Sequence, residues 1–372
     1  MRIGVNATAC GNRYNGIATF NEFLIDGLGA TDHDIWVYSS VNPSQDVGTI
    51  TFRQTPASLS FSGSRLANLK RFAWLQTSFP SMLKKDGVQL LITPSVEGLL
   101  WPKMPQIITV HDLMPLKYVQ ENPRQYYYYR YILPKVLAST ELVLTVSEFS
   151  RQELIKTYHL SPERVAVTST GIRPELFEEP LNHIQEQPGS APYFLFVGTF
   201  SPRKNLRTVV QAFAEVAAVV PEQLVIVAYP DRWKSEIVEL AAQLKVAHRL
   251  TYHSGLTNAE LMRLYRNATA LVLVSEYEGL GAPPLEAMAV RTPVIVSDST
   301  SLAEVVAGAG LSVPCADVSA VASAMRVVST QPDVRDRLRE QGRRRAEKYH
   351  RARCITVLNR ALAPLLQESI CV

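Results

Sequence analysis

Short apolar runs alternate with longer amphipathic stretches along this chain, and the alternation occurs twice. In the first half the runs are Arg2–Asn6, Asp34–Tyr38, Gln89–Thr93, Gln106–Val110 and Leu142–Val146. Between them lie Ile17–Leu28, Ser64–Lys84 and Pro123–Leu137, whose apolar residues recur at helical spacing. Runs with no polar alternate suit strands buried on both faces, and long connections suit parallel pairing. The pattern predicts a parallel sheet covered by helices on both faces. Residues 178–192, with three prolines and little apolar content, interrupt it. It then restarts with strands at Tyr193–Val197, Gln223–Ala228, Leu250–Tyr252, Ala270–Val274 and Pro293–Ser297. Helical patterns at Leu206–Val219, Trp233–Leu244, Asn258–Arg266 and Pro284–Val290 separate these. The chain reads as two α/β domains in series, 1–178 and 193–354, joined by a linker at 179–192. Its 372 residues fit two cores of roughly 150–200 residues better than one. Ligands in such sheets sit beyond the carboxyl ends of the strands, and a cleft between two such domains is the expected site.

A hydrophobic content of 47% with 19% charged residues is that of a soluble globular protein. The net charge of +4 is modest, and no nucleic-acid partner is expected. The positive excess lies in the second half, most densely at Arg335–Arg353, with nine basic and three acidic residues. Two readings of that stretch stay open: a solvated helix face, or a contact with phosphate or an anionic membrane. Cys10, Cys315, Cys354 and Cys371 are scattered, with no CxxC pair. They argue for neither a zinc site nor a disulfide framework, which leaves a reducing cytoplasm as the expected setting. Met1-Arg-Ile-Gly-Val5 opens directly as a strand, and no apolar run of about 18 residues follows. Neither an N-terminal export signal nor a membrane span is expected.

The segment Ser275-Glu-Tyr-Glu-Gly-Leu-Gly-Ala-Pro-Pro-Leu-Glu286 carries the most chemistry. It follows the strand-like Ala270–Ser275. Gly279 and Gly281 permit positive φ and close approach of a ligand to backbone N–H groups. Pro283 and Pro284 fit only the first turn of a helix, so a helix opens near Pro284. Strand, glycine turn and helix N-terminus make an anion site. Glu278 and Glu286 flank it, and carboxylates suit sugar hydroxyls better than phosphates. The combination points to a nucleotide sugar.

These residues resemble a known family, the retaining glycosyltransferases of family 4. The stretch Glu278-Gly-Leu-Gly-Ala-Pro-Pro-Leu-Glu-Ala-Met-Ala289, continued by Thr292-Pro-Val-Ile-Val-Ser297, is very similar to that family's donor-site signature. The resemblance implies the α/β GT-B fold, two facing Rossmann-like domains with parallel sheets and an interdomain cleft. It also implies a last helix, about 355–372, that packs back on the first domain. By resemblance Glu278 contacts the donor sugar and Glu286 accepts hydrogen bonds from the ribose hydroxyls. The N–H groups of Leu280 and Gly281 then face the pyrophosphate, with Gly279 and Leu285 completing the donor-binding set. Where the family usually has Cys-Gly before Thr-Pro, this chain has Val290-Arg291, read as surface variation.

Val197-Gly-Thr-Phe-Ser-Pro-Arg-Lys-Asn-Leu206 follows the first strand of the second domain. A guanidinium fork at Arg203 and an ammonium at Lys204 suit the two phosphates of a departing nucleoside diphosphate, and the family assigns the pair that role. Asn205 stands where it could cap the next helix. Thr199 replaces a further Arg found in some relatives, so two phosphate cations are counted. In the first domain Thr109-Val-His-Asp-Leu-Met-Pro-Leu116 follows a strand and is family-like. By resemblance His111 approaches the donor sugar, while Asp112 either orients it or binds acceptor. Asn15-Gly16-Ile17 resembles the family's glycine loop, which places Gly16 by the donor phosphates. Ser147-Glu-Phe-Ser150 reads as a capped helix start without chemistry. Gly255-Leu256-Thr257 is placed against the base. Residues 65–85 hold Arg65, Lys70, Arg71, Lys84 and Lys85, no acid, and Phe72, Trp74 and Phe79. That composition fits either an interfacial helix meeting an anionic membrane or an ordinary helix with solvated lysines.

The resemblance implies transfer of a hexose from a nucleoside diphosphate sugar to a saccharide or lipid-linked saccharide, with retention. GDP-mannose is the first donor and UDP-glucose the second. No carboxylate stands as a nucleophile of the kind retaining glycosidases use, so a front-face route is implied. Neither a metal nor another cofactor is expected, because Arg203 and Lys204 take the metal's place and no clear Asp-x-Asp metal site is seen. Two other readings stay open: a nucleotide-sugar 2-epimerase of the same fold, and a transferase-like protein that binds without catalysis. Composition does not disclose the oligomeric state.

Overall fold

The computed structural model describes residues 1–9, 16–40, 50–59, 65–178 and 191–367. Cys10, Asn15, Cys371 and the expected linker up to residue 190 lie outside these, as does the side chain of Arg65. The chain divides into two compact units, Met1–Gly171 with Arg351–Val372, and Ile172–His350. These boundaries differ from the expected 178 and 354.

In the first unit the described strands are β1 (Arg2–Asn6), β2 (Asp34–Ser39), β3 (Ile50–Gln54), β4 (Leu90–Thr93), β5 (Gln106–Thr109), β6 (Leu142–Thr145) and β7 (Val165–Val167). They form one sheet in the order β3-β2-β1-β4-β5-β6-β7, and every pair is parallel. The central strands β4, β5 and β6 are buried at every residue, which is why they read as unbroken apolar runs. Edge strand β3 is half-exposed and edge strand β7 has only three residues, so neither carries that signal.

Helix Gly16–Gly29 buries Phe20, Phe23, Leu24 and Leu28. Helix Arg351–Gln367 lies against it: a Cβ on Gly27 would stand 2.8 Å from Leu358 Cδ2, and Arg351 pairs with Asp26 at 2.6 Å. The stretch expected as one helix over Pro123–Leu137 is three pieces: Pro123–Tyr127, a π turn at Tyr128–Ile132, and Leu133–Ala138. Pro134 explains the interruption, since its ring nitrogen cannot donate to the carbonyl four residues back. The backbone widens ahead of it, and the Leu133 N–H reaches the Tyr128 carbonyl instead.

The second unit contains β8 (Tyr193–Thr199), β9 (Gln223–Tyr229), β10 (Leu250–His253), β11 (Ala270–Leu273), β12 (Val294–Ser297) and β13 (Leu311–Val313). Their order is β10-β9-β8-β11-β12-β13, again all parallel. The order in which strands are added reverses between β8 and β11, the kind of switch point beyond whose carboxyl ends ligands bind in open parallel sheets. Helix Asn258–Asn267 starts in a full capping box between Thr257 and Glu260. After Ser297 the chain adds β13 and the helices Thr300–Val306, Val318–Thr330 and Pro332–Ala346, none singled out in the sequence.

Several arginines of the basic stretch 335–353 turn inward, Arg343 and Arg345 among them. Arg343 donates to the carbonyls of Ala289, Leu176 and Phe177, and Arg345 donates to those of Val305 and Glu304. Among the described residues no helix is long and apolar enough to cross a membrane.

Candidate functional site

Two loops meet beyond the carboxyl ends of β8 and β11. The first runs from Thr199, exposed at the end of β8, through a 3-10 turn at Pro202–Lys204 to Asn205. Asn205 holds a left-handed φ of 53° and makes no side-chain cap, contrary to expectation. Its amide instead donates to the carbonyls of Val274, at 3.1 Å, and Cys315, while its oxygen accepts from the Thr208 hydroxyl at 2.7 Å. That draws the loop against the end of β11. The second loop, 274–281, bonds back: the Glu276 N–H donates to the Arg203 carbonyl at 2.9 Å, and Arg203 donates to the Tyr277 carbonyl at 2.7 Å.

The stitched loops bring Glu278 onto both cations. Lys204 Nζ lies 2.5 Å from Glu278 Oε1 and Arg203 lies 3.7 Å from Oε2. The Ser275 hydroxyl donates to Oε1 at 2.7 Å. The Arg203, Lys204 and Glu278 side chains are 12%, 12% and 11% exposed, so the charges interact with little screening by water. Burial pushes the Glu278 carboxyl up, but Lys204 and Arg203 outweigh it and hold the group below its usual range. Two more buried hydroxyls fix the loop: Ser297 donates to the Ser275 carbonyl at 2.6 Å and Ser301 to the Glu278 carbonyl at 2.8 Å. Sequence reasoning misses these serines, since a small hydroxyl after a strand looks the same whether or not it holds a site.

Gly281 has φ of +86° and precedes helix Ala282–Ala289, which opens two residues earlier than expected. A Cβ there would stand 2.6 Å from Leu302 Cδ2, so both the conformation and the close approach require glycine. Gly279 does not share the positive φ. Leu280 is half-buried and Leu285 is buried. Glu286 sits within the helix, apart from the Lys204–Arg203 cluster in its neighbours: Tyr265 directs a buried hydroxyl toward it, short of an aligned hydrogen bond, and Arg173 supplies positive charge. Burial raises the Glu286 carboxyl, and Tyr265 and Arg173 offset only part of that. Arg291, where the family usually has glycine, holds φ of 65° and pairs with Glu340 at 2.8 Å.

In the first unit His111 follows β5. Its Nε2 faces the Pro94 carbonyl at 3.1 Å, and its ring stands edge-on to Phe20 at 5.1 Å. A carbonyl only accepts, so the ring carries its proton on Nε2 and leaves Nδ1 as the acceptor. Asp112 accepts from the Met114 N–H at 2.9 Å and so begins the short helix Met114–Lys117. Gly16 is exposed, and a Cβ there would meet nothing. Arg71 does not face outward as its position in the 65–85 stretch suggested. It is buried and ion-paired with Glu97, whose carboxyl burial raises against the opposing pull of Arg71. Among the described residues no three His, Cys, Asp or Glu side chains are grouped to hold a metal ion.

A family model for glycosyl transferases group 1 matches residues 178–345, and one for glycosyltransferase family 4 matches residues 14–176. The chain is 32% identical over 230 residues to the O-antigen chain mannosyltransferase RfbU of Salmonella typhimurium, covering 61% of this chain and 62% of that protein. It is 32% identical over 260 residues to O-antigen chain mannosyltransferase B of Escherichia coli, covering 67% and 68%. Among solved structures it superposes on a sucrose-phosphate synthase from Thermosynechococcus elongatus with a TM-score of 0.80 at 20% identity, over 98% of this chain and 99% of that one. It superposes on the glycosyltransferase WaaG with a TM-score of 0.71 at 18% identity, over 98% and 99%. The fold is thus of the GT-B class, two parallel-sheet Rossmann-like units. The chain belongs to the group 1, family 4 glycosyltransferases.

Burial lowers the His111 pKa below 6.5, against the opposing pull of the Pro94 carbonyl and Asp112. The folded state therefore binds this proton less well than the unfolded chain does. The stability His111 confers is present above pH 6.5 and is lost as pH falls from there toward the lower folded value. Urea unfolding of wild type and His111→Gln should show a stability difference that is flat above about pH 7.5 and moves against wild type at about pH 5.5. A difference that does not change with pH would contradict the assignment.

Proposed function

We propose that this chain transfers a hexose from a nucleoside diphosphate sugar to a hydroxyl of a saccharide or lipid-linked saccharide, with retention of configuration. The carrying observation is the Arg203–Lys204–Glu278 cluster at the reversal point of the second sheet. Breaking the glycosidic bond builds charge on the leaving diphosphate, and two preorganised cations beside a helix start stabilise that charge where water is scarce. Arg203, Lys204 and the N–H groups at Leu280 and Gly281 take the diphosphate in this reading. Glu278 accepts from the sugar hydroxyls, and Glu286 from the adjacent hydroxyls of the ribose. Thr199 and Leu285 border the donor, and Gly16 and His111 act from the first unit, His111 as a neutral imidazole. The leaving phosphate oxygen takes the proton of the acceptor hydroxyl as the new bond forms on the same face. No step in this scheme calls on a metal ion.

GDP-mannose is the donor we place first, because the two relatives above carry the name mannosyltransferase. UDP-glucose is second. No observation favours the epimerase or the non-catalytic reading. A panel of nucleotide sugars tested for binding and slow hydrolysis needs no knowledge of the acceptor, and GDP-mannose should bind and turn over. With a working donor, Glu278→Ala should lower transfer by about 10²-fold or more, since it removes a hydrogen bond aimed at the reacting sugar. Unchanged turnover in that variant, or no binding by any member of the panel, would defeat the proposal.

The first unit also suits a cytoplasmic, peripheral position on an anionic membrane. Leu69, Trp101, Tyr127 and Tyr131 are exposed on elements packed around helix Arg65–Lys85, through the Phe72–Tyr128 ring contact and the Gln76 bonds to Gly98 and Leu100. Lys70, Arg124 and Arg130 are exposed on the same elements. Sedimentation with phosphatidylglycerol vesicles, but not with phosphatidylcholine vesicles, is the expected result; equal recovery with both would refute it.

A further inference from the structure

Most of the described non-glycine residues with a left-handed φ have an ordinary reason for it. His159, Lys245, Arg291 and Ala307 stand at or just past the C-terminal ends of helices, where such a residue closes the last turn. Asn205 is of a type that tolerates the conformation. Thr300, with φ of 59°, has neither reason. It is β-branched, a type for which this region is an outlier, and it opens helix Thr300–Val306 rather than closing one. Its hydroxyl and that of Ser299 are also shut away from water without a hydrogen-bond partner. Such a turn persists only where its surroundings over-determine it.

Those surroundings are the loop that carries Glu278. Before the turn, Ser297 at the end of β12 donates to the Ser275 carbonyl at 2.6 Å, and the Asp298 N–H donates to the Val313 carbonyl at 2.9 Å. After it, Ser301 donates to the Glu278 carbonyl at 2.8 Å. Leu302 Cδ2 lies so near Gly281 that a Cβ there would stand 2.6 Å away. Ser301 and Leu302 are fully buried, which leaves these contacts little slack. One segment, leaving a strand and entering a helix, thus meets the loop at Ser275, Glu278 and Gly281. An ordinary helix start, with φ near about −63° at Thr300, would send the chain off at another angle and aim Ser301 and Leu302 elsewhere.

We propose that Thr300 is a positioning residue for transfer, its left-handed backbone held against the preference of its own side chain so that Ser301 and Leu302 clamp Glu278 and the turn at Gly281. The part played by the clamped loop rests on the donor reading above. The Glu278 carboxylate and the N–H groups of Leu280 and Gly281 then act where charge and geometry change as the glycosidic bond breaks. A small displacement of the loop therefore weakens the transition state more than it weakens the bound donor. Arg203, Lys204 and Glu286 lie outside the clamped loop and go on holding the donor.

Thermal unfolding together with hydrolysis kinetics of the full chain tests this, with whichever of GDP-mannose and UDP-glucose the wild type turns over. Thr300→Asn accepts the left-handed φ without a branched Cβ. Thr300→Pro forbids it, yet proline suits the first position of an ordinary helix. Thr300→Asn should unfold about 2–4 °C above wild type and keep kcat within about twofold. Thr300→Pro should lower kcat about tenfold or more while KM moves less than about threefold. Ser301→Ala, which removes the bond to the Glu278 carbonyl and leaves the turn, should lower kcat in the same way but less. A turn that is only structural predicts no such split: well below the unfolding transition, kcat would follow neither the sign of φ nor the Ser301 bond.

A Thr300→Pro variant that folds and keeps wild-type kcat would overturn the inference and leave the donor reading intact. So would a Thr300→Asn variant no more stable than wild type, a comparison that needs neither a donor nor a folded proline variant. If Thr300→Pro does not fold, an unchanged kcat in Ser301→Ala has the same consequence. A wild type that binds and hydrolyses no nucleotide sugar would overturn the donor reading, and the positioning role with it.

Discussion

A carboxylate buried as deeply as Glu278 stays ionised only where charges or hydrogen-bond donors compensate it, and the second unit supplies two cations from a different loop. Burial and Coulombic attraction oppose each other here, and attraction wins because Lys204 stands in direct contact and Arg203 just beyond it. Breaking a buried pair by removing one partner typically costs about 3–5 kcal/mol, so the loops after β8 and β11 are bound to one another by charge. The surrounding bonds follow from that. The Glu276 N–H donates to the Arg203 carbonyl and the Arg203 guanidinium to the Tyr277 carbonyl, Asn205 pulls its loop toward Val274, and Ser297 and Ser301 hold the carbonyls of Ser275 and Glu278. What results is a small preorganised charge cluster at the point where the strand order of a parallel sheet reverses.

The first unit has the same sheet logic and different chemistry. At its strand ends stand a neutral His111 against the Pro94 carbonyl and an internally paired Arg71–Glu97. One sheet thus presents two cations around a single carboxylate beside a glycine turn, and the other an imidazole that burial keeps uncharged at neutral pH.

Much of this is legible in the sequence, for physical reasons that also mark where legibility stops. The central strands announce themselves because both faces are buried, and an unbroken Ala270-Leu-Val-Leu-Val274 between Thr269 and Ser275 is too short for a buried helix. Edge strand Ile50–Gln54 is half wet and so reads as loop. The helix at Pro123–Leu137 follows apolar spacing but not the local veto of Pro134, so spacing alone does not reveal the π turn. Gly281 is identifiable because it stands directly before Ala282-Pro-Pro284, where the chain turns into a helix and glycine alone takes a left-handed φ without strain, whereas its neighbour Gly279 has no positive φ. Arg71 shows the harder limit. Its partner Glu97 lies 26 residues away, and an arginine on an amphipathic helix looks solvated until the fold brings that carboxylate under it. The same holds for Glu278: residue type and motif assign it to the sugar and assign Arg203 and Lys204 to the phosphates, but only the fold shows that the three are one cluster.

The most direct test is a crystal structure of the chain with an intact nucleotide sugar. Diphosphate oxygens should lie within hydrogen-bond distance of Lys204 Nζ and the Arg203 guanidinium, sugar hydroxyls on the Glu278 carboxylate, and ribose hydroxyls on Glu286. A donor seated elsewhere, or one bound with its diphosphate remote from Lys204 and its sugar remote from Glu278, would contradict the assignment of this cluster to the donor.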